Sequence, residues 1–241
     1  MTSISIFTYI DRYTPYLDIW LRYYKKIVPD IHVYILHRST STFDLQTYIS
    51  NQQHDHIYER QIDTTNGLYV VDTHIFSDMH AELLSKYDVV LYADIDEIIM
   101  HENLYDILHT TFDTCLVTRG VEIIQKIGIE SAFQFEIDIL SQRDYIIYSN
   151  WYDKALITNK SIPWSDGKHN HNIYNNYIDG LYLIHLGKIC IDLFNYNWQN
   201  TVDTYPGHQV VTHDFTTYYI ENFSNNAINM PDEIKNLIKL I

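Results

Sequence analysis

A short apolar run that ends in acidic residues limits most strongly what this chain can fold into. The residues from Val89 to Ala93 are continuously apolar, as in a central strand covered on both faces. Asp94, Asp96 and Glu97 follow directly, and open α/β sheets place ligand sites at the carboxyl ends of such strands. Alternate residues of an extended segment point the same way, so Asp94 and Asp96 can bind one Mn²⁺ or Mg²⁺ ion. The alternative interpretation is a solvated acidic loop.

Strands and helices alternate on the N-terminal side of this run. Apolar runs predict strands over 3–10, 32–36 and 56–62, and amphipathic spacing predicts helices over 14–28, 42–51 and 67–86. Because this alternation is typical of crossover connections, it predicts an α/β fold with a mostly parallel central sheet flanked by helices.

The pattern becomes irregular after residue 110. Extended segments are predicted over 114–119, 132–139, 143–149, 154–158 and 181–186, and apolar residues at helical spacing predict a terminal helix over 231–241. No Gly/Ser-rich linker or internal repeat separates two parts of the chain. We therefore expect a single domain over 1–241, with an irregular C-terminal portion.

Composition and charge exclude several classes of protein. The 241 residues are 46% hydrophobic and 20% charged, which favours a folded globular chain over a disordered one. The net charge of -15 disfavours nucleic acid and anionic membranes as partners. Cys115 and Cys190 form no CxxC pair, and no window approaches the ~18 apolar residues of a membrane span. With no signal-peptide pattern at the start, we expect a cytoplasmic protein of undetermined oligomeric state.

One histidine in the second half is a candidate metal ligand. His185 ends an apolar run and precedes Gly187 and Lys188, so a neutral imidazole could reach a metal and a cation could reach a phosphate. An ordinary surface or core histidine is the alternative. A zinc site made of His169, His171 and His185 is a weaker option, because no cysteine spacing supports it.

The loop over 163–170 is a candidate substrate loop. Trp164 offers an aromatic platform, Asp166 a carboxylate, and His169 a further polar group in a turn-rich stretch. An Asp-Gly turn without any substrate contact is the alternative interpretation.

These segments together resemble a known family. IFTYIDRYTPYLDIWLRYY leads into HVYILHRSTS, VVLYADIDEII follows, and Asp153-Lys154, GKHN and LIHLGK come later. They resemble the nucleotide-sugar glycosyltransferases of the GT-A fold, especially a small family-2-like group with a DxDE signature. The resemblance covers about 4–110 well and 150–190 loosely. It implies a metal-dependent hexosyl- or N-acetylhexosaminyltransferase that moves a sugar from a nucleotide-sugar donor, expected to be a UDP-sugar, to a glycan or other hydroxyl acceptor.

The resemblance also implies roles for individual residues. Residues 1–110 would form the nucleotide-binding half and 111–241 the acceptor-side half. Asp94 would lie near the ribose and the Mn²⁺ or Mg²⁺ ion, Asp96 would coordinate that ion, and Glu97 would support the loop. The remaining implied contacts are Tyr9, Asp11 and His37 to the nucleoside, His185 to the metal, and Lys188 or Lys154 to phosphate.

An inverting transferase needs a carboxylate to deprotonate the acceptor hydroxyl. The first candidate for this base is Asp166, followed by Glu122 and Asp179. A retaining enzyme would need no such base, and the sequence does not choose between the two. Two other classes stay open: a non-catalytic sugar- or nucleotide-binding module on the same fold, and a phosphatase of the haloacid-dehalogenase type.

Overall fold

A computed structural model describes residues 2–39, 41–51, 55–62, 73–162, 164, 177–195 and 215–241. The strands are β1 (Ile4–Ile10), β2 (His32–Arg38), β3 (Ile57–Ile62), β4 (Val89–Tyr92), β5 (Glu97–Met100), β6 (Cys115–Ile124), β7 (Tyr145–Tyr148), β8 (Ala155–Thr158), β9 (Tyr177–His185) and β10 (Ile228–Asn229). The helices are α1 (Tyr16–Ile27), α2 (Leu45–Asn51), α3 (Thr73–Leu84), α4 (Leu104–Leu108), α5 (Phe215–Asn222) and α6 (Asp232–Ile238).

The N-terminal part of the sheet is parallel. β1 pairs with β2 on one side and with β4 on the other, and β2 pairs with β3, all in parallel register. Ile6 and Phe7 in β1 are completely buried, as expected for a central strand covered on both faces. Helix α1 buries Leu17, Trp20 and Tyr24 on its apolar side. The predicted α/β class, with a mostly parallel central sheet flanked by helices, is confirmed.

The order of these strands creates a crevice at one edge of the sheet. The chain runs from β1 to β2 and β3 on one side, and then crosses back to place β4 on the other side of β1. In open α/β sheets, ligands bind outside the carboxyl ends of the strands at such a reversal. Phe7 pairs with Tyr92, so Tyr9 and Asp94 each lie two residues beyond this pair, at the crevice.

The C-terminal part continues the same sheet with mixed pairing. β8 pairs antiparallel with the first part of β6, and β7 pairs antiparallel with its second part. β9 lies parallel along the other edge of β6, and β5 pairs antiparallel with β9. The sheet is therefore forked at β6, which brings the ends of β5, β6 and β9 together.

One predicted strand is wrong, and one strand was not anticipated. Residues 132–138 form a loop with one turn, and Ile139 begins a short 3-10 helix. The Gln142 side chain binds backbone groups of this loop, including the Gln134 carbonyl at 2.9 Å and the Ile137 carbonyl at 2.9 Å. These contacts replace the ladder of a strand. β5 follows β4 after only a few residues, and the apolar run alone does not reveal that the chain turns between them. The predicted terminal helix is confirmed as α6.

Membrane-spanning helices are not found in the part of the chain that the structure describes: none of its helices is both long and apolar enough to cross a bilayer.

Candidate active site

Strand register places three charged side chains in a row. Glu97 of β5 pairs with His185 of β9, and His185 also pairs with Glu122 of β6. Because paired residues on neighbouring strands present their side chains to the same face, His185 lies between two glutamates. Both glutamates are buried, so their charges require partners.

The histidine cluster consists of Asp96, Glu122, His185 and Lys188. Nε2 of His185 lies 3.3 Å from Oδ2 of Asp96, and Nδ1 lies 3.1 Å from Oε2 of Glu122. The Lys188 ammonium donates to the other oxygen of Glu122. The imidazole is thus held by a carboxylate on each nitrogen.

The pKa values of His185 and Glu122 are strongly shifted. Burial acts to lower the pKa of His185, but Glu122 and Asp96 outweigh it and raise the pKa to about 10. Burial acts to raise the pKa of Glu122, but the charges of His185 and Lys188 outweigh it and lower the pKa to about 2. In this arrangement both ring nitrogens of His185 carry a proton and donate it to a carboxylate.

A glycine lets the loop after β9 approach the imidazole. A Cβ on Gly187 would lie 2.5 Å from Cε1 of His185 and 3.0 Å from Oδ2 of Asp96, so a larger residue does not fit. The Leu186 N–H donates to the Asp96 carbonyl at 2.8 Å, and the Tyr16 hydroxyl donates to the Leu186 carbonyl at 3.1 Å. These bonds fix the loop against the acidic segment.

The lysine cluster consists of Asp94, Glu97 and Lys154. The Lys154 ammonium lies 3.6 Å from Oδ2 of Asp94 and donates to Glu97, while the Tyr92 hydroxyl donates to Asp94. Lys154 is 4% exposed and Glu97 only 1%. Burial acts to lower the pKa of Lys154, but Glu97 and Asp94 outweigh it and raise the pKa, so the lysine keeps its charge.

The spacing of Asp96 and His185 suits a divalent cation held by both, whereas Asp94 contacts Tyr92 and Lys154. Nε2 of His185 and Oδ2 of Asp96 are 3.3 Å apart. This is close to the ~3 Å that separates neighbouring ligand atoms when each lies about 2.1 Å from a metal ion. Both oxygens of Asp94 face Tyr92 and Lys154 instead. Within the described ranges, no three His, Cys, Asp or Glu side chains come together as a metal-binding group. Of the described residues, one carboxylate and one imidazole would hold a cation here, which would leave the other coordination positions to ligand oxygens and water.

Tyr152 connects the two clusters and was missed by the sequence reasoning. Its ring stacks on His185 with 4.2 Å between centroids, and the ammonium groups of Lys154 and Lys188 lie 5.4 and 5.3 Å from its centroid. Burial raises the pKa of its hydroxyl. The only feature of the sequence that points to Tyr152 is its position beside Asp153 and Lys154. In a chain with 22 tyrosines, that position alone does not distinguish Tyr152 from the others.

The ends of β1 and β2 carry the residues expected at the nucleoside. The Tyr9 hydroxyl donates to Asp11 at 3.4 Å, and Arg38 lies 3.4 Å from the same carboxylate oxygen. His37 is buried with Nδ1 3.3 Å from Glu59, and its Nε2 has no hydrogen-bond partner in the described part of the chain. Burial, with Asp11 adding to it, raises the pKa of Tyr9 to about 12, so Tyr9 stays a hydrogen-bond donor.

The structure does not bring every predicted residue to this site. Asp179 is exposed near the start of β9, in a separate cavity that it shares with His101 and Glu233. Trp164 is buried and packs into the core, with its ring centroid 6.4 Å from Phe7 and 5.7 Å from Tyr92. The remaining candidates lie outside the described residues: Asp166, His169 and His171.

Comparisons with known proteins find similarity in solved structures. No protein-family model matches this chain, and no curated protein sequence does. A structure of S. aureus TarS 1-349 in complex with UDP is 12% identical, with a TM-score of 0.42, over 93% of this chain and 73% of that one. A longer TarS structure is matched over 40% of its length.

Two further structures show similar values. The galactosyltransferase LgtC, in complex with donor and acceptor sugar analogues, is 18% identical over 96% of this chain and 69% of its own, with a TM-score of 0.33. A putative glucose-1-phosphate thymidylyltransferase from Bacillus anthracis, in complex with sucrose, is 9% identical over 92% of this chain and 84% of its own, with a TM-score of 0.36. At identities this low, the chemistry of this chain has to be inferred from its own residues.

Proposed function

We propose that this chain is a metal-dependent glycosyltransferase that uses a nucleotide-sugar donor, with a UDP-sugar as the first choice, and a glycan or other hydroxyl acceptor. The observation that supports it most is the pair Asp96 and His185, 3.3 Å apart at the carboxyl-end edge of the sheet. Crevices at a reversal of strand order bind nucleotides in many α/β proteins, which favours a nucleotide as the ligand here.

The proposal assigns each cluster a part in binding the donor. Asp96 and His185 would hold Mn²⁺ or Mg²⁺, with the cation in place of the proton on His185 Nε2. A divalent cation there stabilises the negative charge that develops on a leaving diphosphate. Lys154 and Lys188 keep their positions through Glu97 and Glu122, so their ammonium groups would add positive charge beside the diphosphate.

The nucleoside would lie along the ends of β1 and β2. Tyr9, Asp11 and His37 are the residues proposed to contact it. His37 supports this assignment, because a buried ring nitrogen with no partner among the described residues is an available hydrogen-bonding group. Asp94 lies on the neighbouring strand and would contact the ribose.

Glu122 is better suited to positioning than to base catalysis. Its pKa is lowered to about 2, and both of its oxygens already accept hydrogen bonds from His185 and Lys188. A carboxylate with so low a pKa is a weak general base at neutral pH. We therefore propose that Glu122 orients His185.

Asp166 stays our proposed base for an inverting reaction. Asp166→Asn should lower the transfer rate by at least ~100-fold and leave donor binding nearly unchanged, because a general base acts only in the chemical step. Steady-state kinetics together with calorimetry of donor binding would measure both. Near-parental turnover by a folded variant would remove Asp166 from the mechanism and favour a retaining pathway.

The experiment that tests the proposed function is a thermal-shift panel. UDP, UDP-sugars, GDP, CDP and ADP would each be added with and without Mn²⁺. A ligand at about 100 times its Kd stabilises the native state by about 2.7 kcal/mol, which raises Tm. We expect UDP or a UDP-sugar with Mn²⁺ to give the largest shift. No shift with any nucleotide would contradict the proposal, and binding without UDP release from any UDP-sugar would indicate a non-catalytic module.

A further inference from the structure

Two histidines lie side by side where β2 and β3 begin. Val33 of β2 pairs with Ile57 of β3, and His32 and His56 each stand one residue before this pair. The centroids of the two imidazole rings are 4.4 Å apart. The Val33 N–H donates to the His56 carbonyl at 2.8 Å, and this backbone bond holds the two rings together across the strands.

Both histidines direct the same ring nitrogen to one tyrosine oxygen. Nδ1 of His32 lies 3.3 Å from the Tyr58 hydroxyl oxygen, and Nδ1 of His56 lies 3.4 Å from it. The hydroxyl has a single proton, so it can donate to only one of the two nitrogens. Two imidazole nitrogens and one phenol oxygen therefore lie together, and each of them can bind a metal ion.

The spacing of these atoms is that of ligands around a tetrahedral ion. Around a tetrahedral zinc ion, neighbouring ligand atoms are about 3.3 Å apart when each lies about 2.0 Å from the metal. The distances of 3.3 and 3.4 Å from the Tyr58 oxygen to the two nitrogens match this value. A square-planar Cu²⁺ ion with equal bond lengths would need about 2.8 Å. The geometry therefore favours zinc.

The backbone that presents His56 has an uncommon conformation. Its φ is 68°, and among the residues that the structure describes His56 is the only non-glycine with a positive φ. Such left-handed residues are costly and occur preferentially at ligand sites, where the surrounding structure holds them in place. Here the Lys25 ammonium donates to the carbonyl of Asp55, the preceding residue, at 2.9 Å.

Stacked aromatic rings fix the position of Tyr58. The Tyr34 ring lies 4.9 Å from the Tyr58 ring with 27° between their planes, and the Tyr34 hydroxyl lies 2.9 Å from the Tyr87 hydroxyl. The Tyr87 ring in turn lies 5.0 Å from the ring of His32. The ligand atoms are thus positioned before any ion binds, which lowers the entropic cost of binding.

We propose that His32, His56 and Tyr58 bind one Zn²⁺ ion, which links β2 to β3. The two Nδ1 atoms and the phenol oxygen are three of its ligands, and water is the fourth. The Tyr58 hydroxyl proton is released to the solvent when the ion binds, as is usual for metal ligands that have to be deprotonated. His32 begins β2, whereas His37 lies near its other end, so this site is separate from the crevice and does not depend on the glycosyltransferase function.

The test is calorimetric titration of the full chain with Zn²⁺. Because the chain has 13 histidines, binding at this site is measured as the difference between the parent and its variants. We expect His32→Asn and His56→Asn each to weaken the tightest zinc binding about tenfold or more. Tyr58→Phe keeps the stacked ring but removes the oxygen, so it should weaken binding as well. Since a metal that binds the folded state raises Tm, zinc should raise Tm less in these variants than in the parent.

A matched control separates this site from general binding to histidines. His101 lines a different cavity, and its Nδ1 accepts a hydrogen bond from the Asn103 N–H at 2.9 Å, so His101→Asn should leave zinc affinity unchanged. Far-UV circular dichroism without zinc would check that each variant is folded. Parental zinc affinity in any of the three site variants overturns the proposal. An equal loss in His101→Asn also overturns it, because it would mean an adventitious ion only.

Discussion

The lysine cluster and the histidine cluster are built alike but differ in the basic residue that contacts the aspartate. Each joins an aspartate after β4, a basic residue from the C-terminal part and a buried glutamate: Asp94, Lys154 and Glu97 in the first, Asp96, His185 and Glu122 in the second. The basic residue beside the aspartate is a lysine in one cluster and a histidine in the other, and the histidine cluster has Lys188 in addition.

Because of this difference, we expect the lysine cluster to contribute mainly to stability and the histidine cluster mainly to metal-dependent ligand binding. A charged lysine has no lone pair for a metal, so Lys154 neutralises buried carboxylates and can offer a ligand only its positive charge. An imidazole nitrogen can exchange its proton for a cation, so the histidine cluster can take up a ligand. We therefore expect substitutions in the first cluster to lower mainly the stability, and substitutions in the second to lower mainly metal-dependent binding.

The largest expected effect is loss of stability in Lys154→Met. This change leaves Glu97 buried without its partner, which typically costs about 3–5 kcal/mol. Urea denaturation would measure the free energy of unfolding. Lys160→Met is the matched control, because Lys160 pairs with Asp113 on the surface, where an ion pair contributes under about 1 kcal/mol. Equal losses in the two variants would contradict the assignment of the lysine cluster as a structural core.

A smaller effect concerns His80, a buried histidine that contacts no carboxylate among the described residues. Burial lowers its pKa from 6.5 to about 4, opposite to the shift of His185. Because the pKa of His80 is lower in the folded than in the unfolded state, its contribution to stability is fully present above about pH 6.5 and is lost as the pH falls toward about 4. We expect the free energy of unfolding to fall by about 2 kcal/mol from about pH 7 to pH 5.

The variant His80→Gln supplies the reference for this measurement. Its glutamine can still donate to Thr158, which the imidazole contacts at 2.6 Å, but it does not titrate. Denaturation at the two pH values should show a smaller pH dependence for the variant. An unchanged pH dependence would mean that His80 does not cause it, and would contradict the lowering of its pKa by burial.

The smallest effect expected is on Mn²⁺ affinity in Glu122→Gln. Glu122 binds the far nitrogen of His185, and loss of such a supporting carboxylate typically weakens metal binding at least about tenfold. Calorimetry with Mn²⁺ and UDP would measure it. Glu82→Gln serves as control, because Glu82 pairs only with Arg60 and Lys86 among the ion pairs of the described residues. Parental affinity in Glu122→Gln would argue against a cation on His185.

The sequence allowed the sheet and the acidic strand end to be predicted, because both follow from local patterns. The apolar run before Asp94 identifies β4, and the position of the acids after it follows from the strand period. His185 was selected because it ends an apolar run in the same way. In each case the signal lies within a few residues of the functional group.

The pairings within each cluster could not be predicted in this way. Glu122 meets His185 only because β6 and β9 are parallel neighbours, and Lys154 reaches Glu97 across 57 residues of chain. Trp164 looked like a sugar platform, because aromatic residues in loops and in cores cannot be told apart without their neighbours. Long-range register, rather than local pattern, decides these contacts.

Calorimetric titration of UDP in the presence of Mn²⁺ tests the central claim most directly. It would compare the parent with Asp96→Asn and Asp94→Asn, two equal changes placed two residues apart. We predict that Asp96→Asn weakens Mn²⁺-dependent binding about tenfold or more, whereas Asp94→Asn, which faces Lys154 and Tyr92, weakens it less. Parental affinity in Asp96→Asn, or a larger loss in Asp94→Asn, would contradict the assignment of the histidine cluster as the metal-binding part of the site.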